Sequence, residues 1–213
     1  MHHINYEEHV GPCFHEISVP DAIRMGALAP LRTLVVKANV DLSNVELKPN
    51  GRYDVVQMTT ALAKSSAVIG AIQLHRKCFN GQSAIAFCGT IAFAKKAAED
   101  FVSAGIKAAH ISGATPAAEQ ERILSAYATG AIEVICSADL LIEGFDNVRA
   151  QVCYNLVETQ SIVEAEQRGG RVARLDPNNA CKIGKVVDFK YHDERRRNPP
   201  IHYIVPVPLH AKR

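Results

Sequence analysis

The segment from residue 167 to residue 174 has the residue types and the spacing that could act on a phosphate group. In a helix, Gln167, Arg171 and Arg174 would be spaced i, i+4 and i+7 and would lie on one face. A guanidinium group is always charged and binds phosphoryl oxygens through two hydrogen bonds, and the two adjacent glycines would allow close backbone approach. A surface helix whose arginines pair with Glu164 or Glu166 explains the spacing equally well.

A second candidate segment, residues 135–146, follows an apolar run and ends in Gly-Phe-Asp. Gly144 permits a tight backbone, and Asp146 could accept a hydrogen bond from a ribose hydroxyl or position a water molecule. Taken alone, the local sequence favours an ordinary turn in which Asp146 caps a backbone amide.

The elements that must position these residues alternate in type after residue 80. Strands are predicted at 84–88, 107–111, 132–136, 151–156 and 184–189, and helices at 91–104, 116–127 and 161–174. Because the strands are continuously apolar, we expect a parallel sheet with helices on both faces. Ligands bind at the carboxyl ends of such strands, so four loops should share one functional edge: 88–91, 112–115, 137–146 and 157–160.

The boundaries of several predicted elements carry local signals. Thr115 and Pro116 predict a helix start with threonine as the N-cap, Ser161-x-x-Glu164 predicts a capping box, and Gly105 predicts a helix end. A short helical turn is predicted at 139–142. Before residue 80, one strand is predicted at 33–40. An unbroken helix is predicted at 59–78, because alanine, leucine, isoleucine and lysine dominate that stretch.

Composition places the chain among ordinary globular proteins. Of its 213 residues, 47% are hydrophobic and 22% are charged, which excludes wholesale disorder and fibrous repeats. No apolar run reaches the roughly 18 residues that span a bilayer, and the first residues do not form a secretion signal. The net charge of +2 does not by itself indicate a nucleic-acid binder, and the net +4 of residues 190–213 is interpreted as a solvated charge run.

The cysteines are widely spaced and form no metal-binding pattern. They are Cys13, Cys78, Cys88, Cys136, Cys153 and Cys181. We expect buried free thiols rather than disulfides, which favours a reducing, intracellular compartment such as the cytoplasm.

Four segments, taken in order, resemble the motifs of one known family. Residues 83–101 resemble motif four, 110–113 the next family segment, 135–146 motif five, and 167–174 the Gln-x-x-Gly-Arg-x-x-Arg pattern of motif six. The stretch 83–189 thus resembles the C-terminal RecA-like domain of superfamily 2 helicases, a three-layer α/β/α fold with a mostly parallel sheet. The Glu-Gly-Phe-Asp form is most similar to the DEAD/DEAH-like, DNA-repair and restriction-type branch.

The resemblance implies a role at an ATP cleft for five residues. Arg171 and Arg174 would be arginine fingers on the γ-phosphate of ATP, which is held with Mg²⁺ mainly by an N-terminal RecA-like motor domain. Gln167 would lie beside them, and Gly144 and Asp146 would line the same cleft.

The resemblance also implies contacts with a nucleic-acid backbone, DNA being favoured over RNA. The residues it assigns to this contact are Gly89, Thr90, Gly113 and Ser137. Ala138 stands where many family members have a phosphate-binding threonine, and the adjacent Ser137 could take over that contact.

The sequence lacks Gly-x-x-x-x-Gly-Lys-Ser/Thr and has no apolar strand ending in Asp-Glu. We therefore expect this chain alone to be inactive on ATP and to act as the second half of a two-domain motor with no membrane partner. Residues 1–80 would form an arm and a long helix linking from the first motor domain, 81–189 the RecA-like domain, and 190–213 a basic extension.

Two other function classes must be compared with this sequence. A non-catalytic RecA-like module that binds nucleic acid or protein satisfies the same sequence. A dinucleotide-binding oxidoreductase domain would need Gly-x-Gly-x-x-Gly after the first strand, whereas residues 88–93 contain one glycine.

Overall fold

Six parallel strands form one sheet in the order β1-β6-β5-β2-β4-β3. The computed structural model describes residues 17–38, 40–64, 67–138, 147–159, 161–191 and 195. The strands are Leu31–Ala38 (β1), Ala84–Phe87 (β2), Ala108–Ile111 (β3), Val134–Ser137 (β4), Val152–Asn155 (β5) and Gly184–Tyr191 (β6). The described helices are Val19–Arg24 (α1), Val55–Ala63 (α2), Ala67–Cys78 (α3), Ile91–Ser103 (α4), Ala117–Thr129 (α5) and Ile162–Ala173 (α6).

Helices cover both faces of the sheet, as the apolar strands predicted. Along β2, Ala84 and Ala86 face a core shared with α2, α3 and α4. Ile85 and Phe87 face the opposite core, to which α1, α5 and α6 contribute. Successive strand residues point to opposite faces, so a strand that is apolar throughout must be covered on both sides. The predicted three-layer α/β/α fold is confirmed.

The unbroken helix predicted at 59–78 is wrong. Two helices, α2 and α3, cover this region and meet at an angle of 61°. The amide of Lys64 bonds to Ala61 O and Leu62 O, which tightens the end of α2. Leu62 and Ala71 are both fully buried in the same core, so the bend lets both helices pack on the sheet.

In the described part of the chain, no single helix is long and apolar enough to cross a membrane, although the bent α2–α3 pair satisfies length and composition jointly. The buried side chains of this pair, such as Met58 and Val68, belong to the protein core.

The strand predicted near residues 33–40 is confirmed as β1, and the structure shows that β1 belongs to the main sheet. It pairs with β6 over all eight residues, from Leu31 opposite Gly184 to Ala38 opposite Tyr191. Residues 40–79 supply much of the core on the α2–α4 side. The division of the chain at residues 80 and 189 stays a prediction.

The predicted caps have different outcomes. Gly105 follows the end of α4 with a φ of 79°, as expected for a helix-ending glycine. The N-cap predicted at Thr115 is wrong, because Pro116 holds that position without a side-chain hydrogen bond. The Thr115 hydroxyl instead accepts a hydrogen bond from Ser112 N at 3.0 Å and stabilises the preceding turn. The turn predicted at 139–142 lies outside the described residues.

The prediction of buried free thiols is confirmed for Cys88, Cys136 and Cys153, whereas Cys78 and Cys181 are free but exposed. Cys88 raises the pKa of the Cys136 thiol through a hydrogen bond, and burial raises it further. Burial likewise raises the pKa of Cys153. A buried thiol with a raised pKa is a poor nucleophile, so these groups serve packing rather than chemistry.

Candidate nucleotide and nucleic-acid sites

Gly89 and Thr90 follow β2 at the edge formed by the carboxyl ends of the strands, which we call the carboxyl-end edge. Gly89 has a φ of +73°, and a Cβ atom there would lie 3.2 Å from Val157 and 3.3 Å from Val55. Glycine is therefore required both by backbone conformation and by space. The Thr90 hydroxyl caps α4 by accepting from Phe93 N at 3.4 Å. The amide groups of the first turn of α4 thus point toward this edge, where an anion would be stabilised.

Gly113 lies at the same edge, in the turn after β3. It is exposed, and a Cβ atom there would meet open space. β4 lies between β2 and β3, so the loops with Gly89 and Gly113 are separated by two strand spacings, about 10 Å. This distance suits two contacts along one extended backbone.

Ser137, by contrast, is fully buried at the end of β4. Its hydroxyl has no hydrogen-bond partner among the described residues. The described structure does not bring this side chain to the surface with Gly89 and Gly113. The continuous apolar run 134–136 before it is the sequence signal for that burial. Gly144 and Asp146 lie outside the described residues.

α6 carries the residues predicted to act on a nucleotide. Gln167 is exposed, whereas Arg171 and Arg174 are half-buried. The helix ends at Ala173, and Arg174 is extended, with φ −64° and ψ 138°. The prediction that Arg174 shares a helical face with Gln167 and Arg171 is therefore wrong, because Arg174 is the C-cap.

The direction of α6 separates the predicted site residues into two groups. The helix begins after the carboxyl end of β5 and runs back toward the amino ends of the strands. Ala29 N, just before β1, donates to Ala173 O at 2.7 Å. The twelve residues of α6 span about 18 Å, so Arg174 lies at the opposite edge of the sheet from Gly89 and Gly113.

The start of α6 confirms half of the predicted capping box. Ser161 Oγ accepts from Glu164 N at 3.3 Å. The Glu164 carboxylate does not return this bond. It accepts from Thr159 Oγ1 at 2.5 Å and pairs with the guanidinium of Arg168.

Sequence reasoning gave Arg168 no role, yet it is the most buried arginine of the segment, with 3% of its surface exposed. Its Nη1 donates to Val157 O at 2.9 Å, and its guanidinium lies 5.1 Å from the centre of the Phe87 ring. The i, i+4 spacing from Glu164 was the available signal for this ion pair.

The surroundings of Arg174 are cationic. Lys182 is 4% exposed and donates to Val148 O at 2.6 Å. Burial lowers the pKa of Lys182 to about 8, Asp176 opposes the shift, and the charges of Lys185 and Arg174 add to it. Burial, with the charge of Arg32, also lowers the pKa of Lys185. Cations that destabilise one another in this way would be stabilised by a bound anion.

Within the described part of the chain, no group of three or more His, Cys, Asp or Glu side chains is placed to hold a metal ion.

Comparisons with known proteins agree with this architecture. The helicase conserved C-terminal domain family matches residues 48–176. The 51.5 kDa protein of Lactococcus phage (isolate 7-9) is 33% identical over 156 residues, which are 72% of this chain and 34% of that protein. The chain thus spans about a third of the length of this curated relative.

Solved structures share the fold at low sequence identity. A fragment assigned as an HsdR subunit of a type I restriction enzyme from Vibrio vulnificus YJ016 has a TM-score of 0.69 and 14% identity, over 86% of this chain and 36% of that one. The E. coli DEAD-box protein SrmB, bound to regulator of ribonuclease activity A, has a TM-score of 0.56 and 16% identity. The match covers 77% of this chain and 78% of that one. S. cerevisiae Dbp5 bound to RNA and ADP BeF3 has a TM-score of 0.57 and 14% identity. The match covers 88% of this chain and 42% of that one.

The family match covers more than half of the chain, and the parallel sheet with its two helical layers has the RecA-like arrangement. The chain therefore belongs to the helicase conserved C-terminal domain family.

Proposed function

We propose that this chain is the second motor domain of an ATP-dependent helicase or translocase. Arg171 and Arg174 contact the phosphates of ATP, which another RecA-like domain binds together with Mg²⁺, and Gln167 lies beside them. The observation that supports this proposal is the cationic environment of Arg174, where Lys182 is 4% exposed and its pKa is lowered by burial and by the charges of Lys185 and Arg174. Such a site favours a polyphosphate.

Catalysis by these groups is electrostatic. Phosphoryl transfer leaves little covalent work for protein, so positive charge placed on the γ-phosphate dominates, and one arginine finger is worth roughly 10³ to 10⁵ in rate. Because the fingers come from one domain and the nucleotide from another, hydrolysis occurs only when the cleft between them closes. Closure of the cleft then couples ATP hydrolysis to movement along a nucleic-acid strand.

The carboxyl-end edge contacts the nucleic-acid backbone in this proposal. Gly113 leaves open space there, Gly89 holds a backbone conformation that a side chain would strain, and the amide groups at the start of α4 favour phosphate. The Glu-Gly-Phe-Asp form of residues 143–146 favours DNA. One structural neighbour, Dbp5, was solved with RNA, so both nucleic acids belong in the test. We do not assign Ser137 to this contact, because its side chain is buried.

The test uses a protein that joins this chain to a P-loop motor domain. Arg171→Ala and Arg174→Ala should each lower nucleic-acid-stimulated ATPase by roughly 10³-fold or more without loss of folding. Arg122→Ala, which removes an exposed arginine paired with Glu119, is the matched control and should leave ATPase unchanged. Unchanged ATPase in both finger variants would exclude the assignment.

A second candidate is a non-catalytic binding module, favoured by the absence of a phosphate-binding P-loop from the sequence. Both candidates predict negligible ATPase for this chain alone and weak, salt-sensitive nucleic-acid binding. They differ when the chain is joined to a P-loop domain, since only the motor gains stimulated ATPase. Tight binding that does not respond to salt would count against the carboxyl-end edge as the contact.

A further inference from the structure

The sheet has an open edge at β3, the last strand in its order. Three of the four residues of β3 are partly exposed, whereas every residue of β2, β4 and β5 is buried. At the opposite edge, β1 carries the exposed charges of Arg32 and Lys37, and charges of this kind commonly block a sheet edge. The segment Ala108–Ile111 contains no charged residue and no proline, so β3 has no such block.

Alternate residues of β3 direct their backbone groups away from the sheet. The register sets Ala108 opposite Val134, and Val134 N donates to Lys107 O at 3.0 Å. Because this direction alternates along a strand, the backbone groups of residues 107, 109 and 111 face β4, and those of Ala108 and His110 face outward. The outward amides and carbonyls have no hydrogen-bond partner in the part of the chain that the structure describes.

A cavity of about 700 Å³ runs along this edge, and we call it the β3-edge groove. Ala108 and His110 point to the face of the sheet that α4 covers, Ala109 points to the face that α5 covers, and all three line the cavity. Since the other edge of β3 is paired with β4, a cavity that touches both faces of this strand must pass around its open edge. The groove therefore has a strand edge as its floor and a helix on each side.

The α4 side of the groove is an exposed, largely apolar stripe. Its members are spaced i, i+4, i+7 and i+11 along the helix: Ile91, Lys95, Ala98 and Val102. Ile91 is 48% exposed and Val102 is 55% exposed. Large apolar side chains at this level of exposure would gain from contact with apolar groups of a partner.

The charges that line the groove balance one another. Lys95 and Arg122 are positive, Glu99 and Glu119 are negative, and Glu119 pairs with Arg122 across one turn of α5. A nucleic-acid strand would therefore gain no net electrostatic attraction here. A polypeptide backbone, by contrast, supplies alternating donors and acceptors that match those of an open strand edge.

A second copy of this chain is a poor occupant of the groove. Paired strands lie about 4.8 Å apart, and the helices that flank β3 would meet the same helices of another copy before the two edges came that close. A single extended segment has no such walls and can reach the floor of the groove.

We propose that the β3-edge groove binds an extended segment of a partner protein, which adds a strand to the sheet by pairing with Ala108 and His110. Side chains of the added strand alternate between the two walls, so apolar ones pack on Ile91 and Val102 and the others face α5. Main-chain hydrogen bonds then supply affinity, and the walls select the sequence. This inference goes beyond the proposed function, because the groove contains none of the residues that we assign to the nucleotide or to nucleic acid.

The test selects binders of this chain from a phage-displayed library of random heptapeptides, and the strongest binder is then synthesised. Selected sequences should alternate apolar and polar residues. At ten times the dissociation constant of the peptide, amide hydrogen exchange at Ala108 and His110 should slow by about tenfold, because it then occurs only from the free protein. Exchange at Ala109 should not change, since its amide already faces β4. A peptide held by the walls alone would not produce this alternation.

Val102→Glu places a charge on the apolar wall and should weaken binding of the peptide by about 5- to 20-fold. Ile69→Glu is the matched control, because Ile69 is 51% exposed on α3 and does not line the groove, and it should leave binding unchanged. A library that yields no binder, equal binding to both variants, or unchanged exchange at Ala108 and His110 would each overturn the inference. None of these results would affect the proposed motor function, which is tested by stimulated ATPase.

Discussion

The Nδ1 atom of His75 lies 2.9 Å from the Tyr154 hydroxyl and joins α3 to the central strand β5. On its other side, His75 Nε2 lies 2.7 Å from the Glu133 carboxylate, which also accepts from Gly81 N at 2.9 Å. A carboxylate only accepts, so Nε2 donates to Glu133; in the neutral imidazole, Nδ1 then accepts and the tyrosine hydroxyl donates. This chain of bonds places a fully buried histidine within an otherwise apolar core.

Removing the imidazole should be strongly destabilising. His75→Ala leaves the hydroxyl of Tyr154 without its partner and opens a cavity, so the free energy of unfolding should fall by about 3–4 kcal/mol. Tyr154→Phe removes only the donor and should cost about 1–2 kcal/mol. Urea unfolding followed by circular dichroism measures both. Gln73→Ala, on the exposed face of the same helix, should change stability by less than about 0.5 kcal/mol. An equally small effect of His75→Ala would show that the hydrogen bonds of His75 do not contribute to the free energy of unfolding.

Gly184 should not tolerate a side chain, although its φ is not in the left-handed region. A Cβ atom at Gly184 would lie 2.5 Å from Val172 O and 2.5 Å from Leu31 Cδ2. The carbonyl belongs to α6 and cannot rotate away, so β6 and α6 must separate. Gly184→Ala should lower the free energy of unfolding by about 1–3 kcal/mol and therefore lower the melting temperature. A melting temperature equal to that of the unaltered chain would show that α6 moves freely.

Lys182 should make stability depend on pH above neutrality. The folded state lowers its pKa from 10.5 to about 8, so between those values the unfolded chain binds more protons. The free energy of unfolding therefore rises as pH increases from about 8 to 10.5. Because solvent screens part of the effect, we expect this rise to be about 1–2 kcal/mol. Lys182→Arg keeps a donor but does not titrate in this range, so the rise should be smaller by that amount. Equal pH dependence of both proteins, measured by chemical unfolding, would contradict the shift.

The sequence predicted the sheet correctly because each strand forms from its own apolar run of residues. β2, β4 and β5 lie within about a residue or two of their predicted positions. The bend between α2 and α3 has only a weak local signal, since the polar residues 64–66 interrupt the apolar pattern but lysine and serine also occur within helices. The bend follows instead from the need of both helices to cover one sheet, which is a tertiary requirement that can override propensity.

The candidate site was less accessible to prediction, because burial decides which of several similar residues is used. Arg168 and Arg171 are three positions apart, and the i, i+4 spacing gives only Arg168 an acidic partner one turn away, Glu164. The spacing does not show that this ion pair is buried, which follows from the packing of Arg168 against Phe87 and Val157. Ser137 similarly follows an apolar run in the sequence, but its burial depends on the helices that cover β4.

Gly170 offers a test in which stability and function should move in opposite directions. A Cβ atom there would meet nothing within 4 Å, so the glycine is not required by packing against the described residues. Alanine restricts the unfolded chain and favours helix, so Gly170→Ala should stabilise this chain by about 0.5–1 kcal/mol. If Gly170 instead leaves room for a nucleotide beside Arg171, the same variant should lower stimulated ATPase when the chain is joined to a P-loop domain. Higher stability with unchanged ATPase would show that the open face of α6 does not approach the nucleotide.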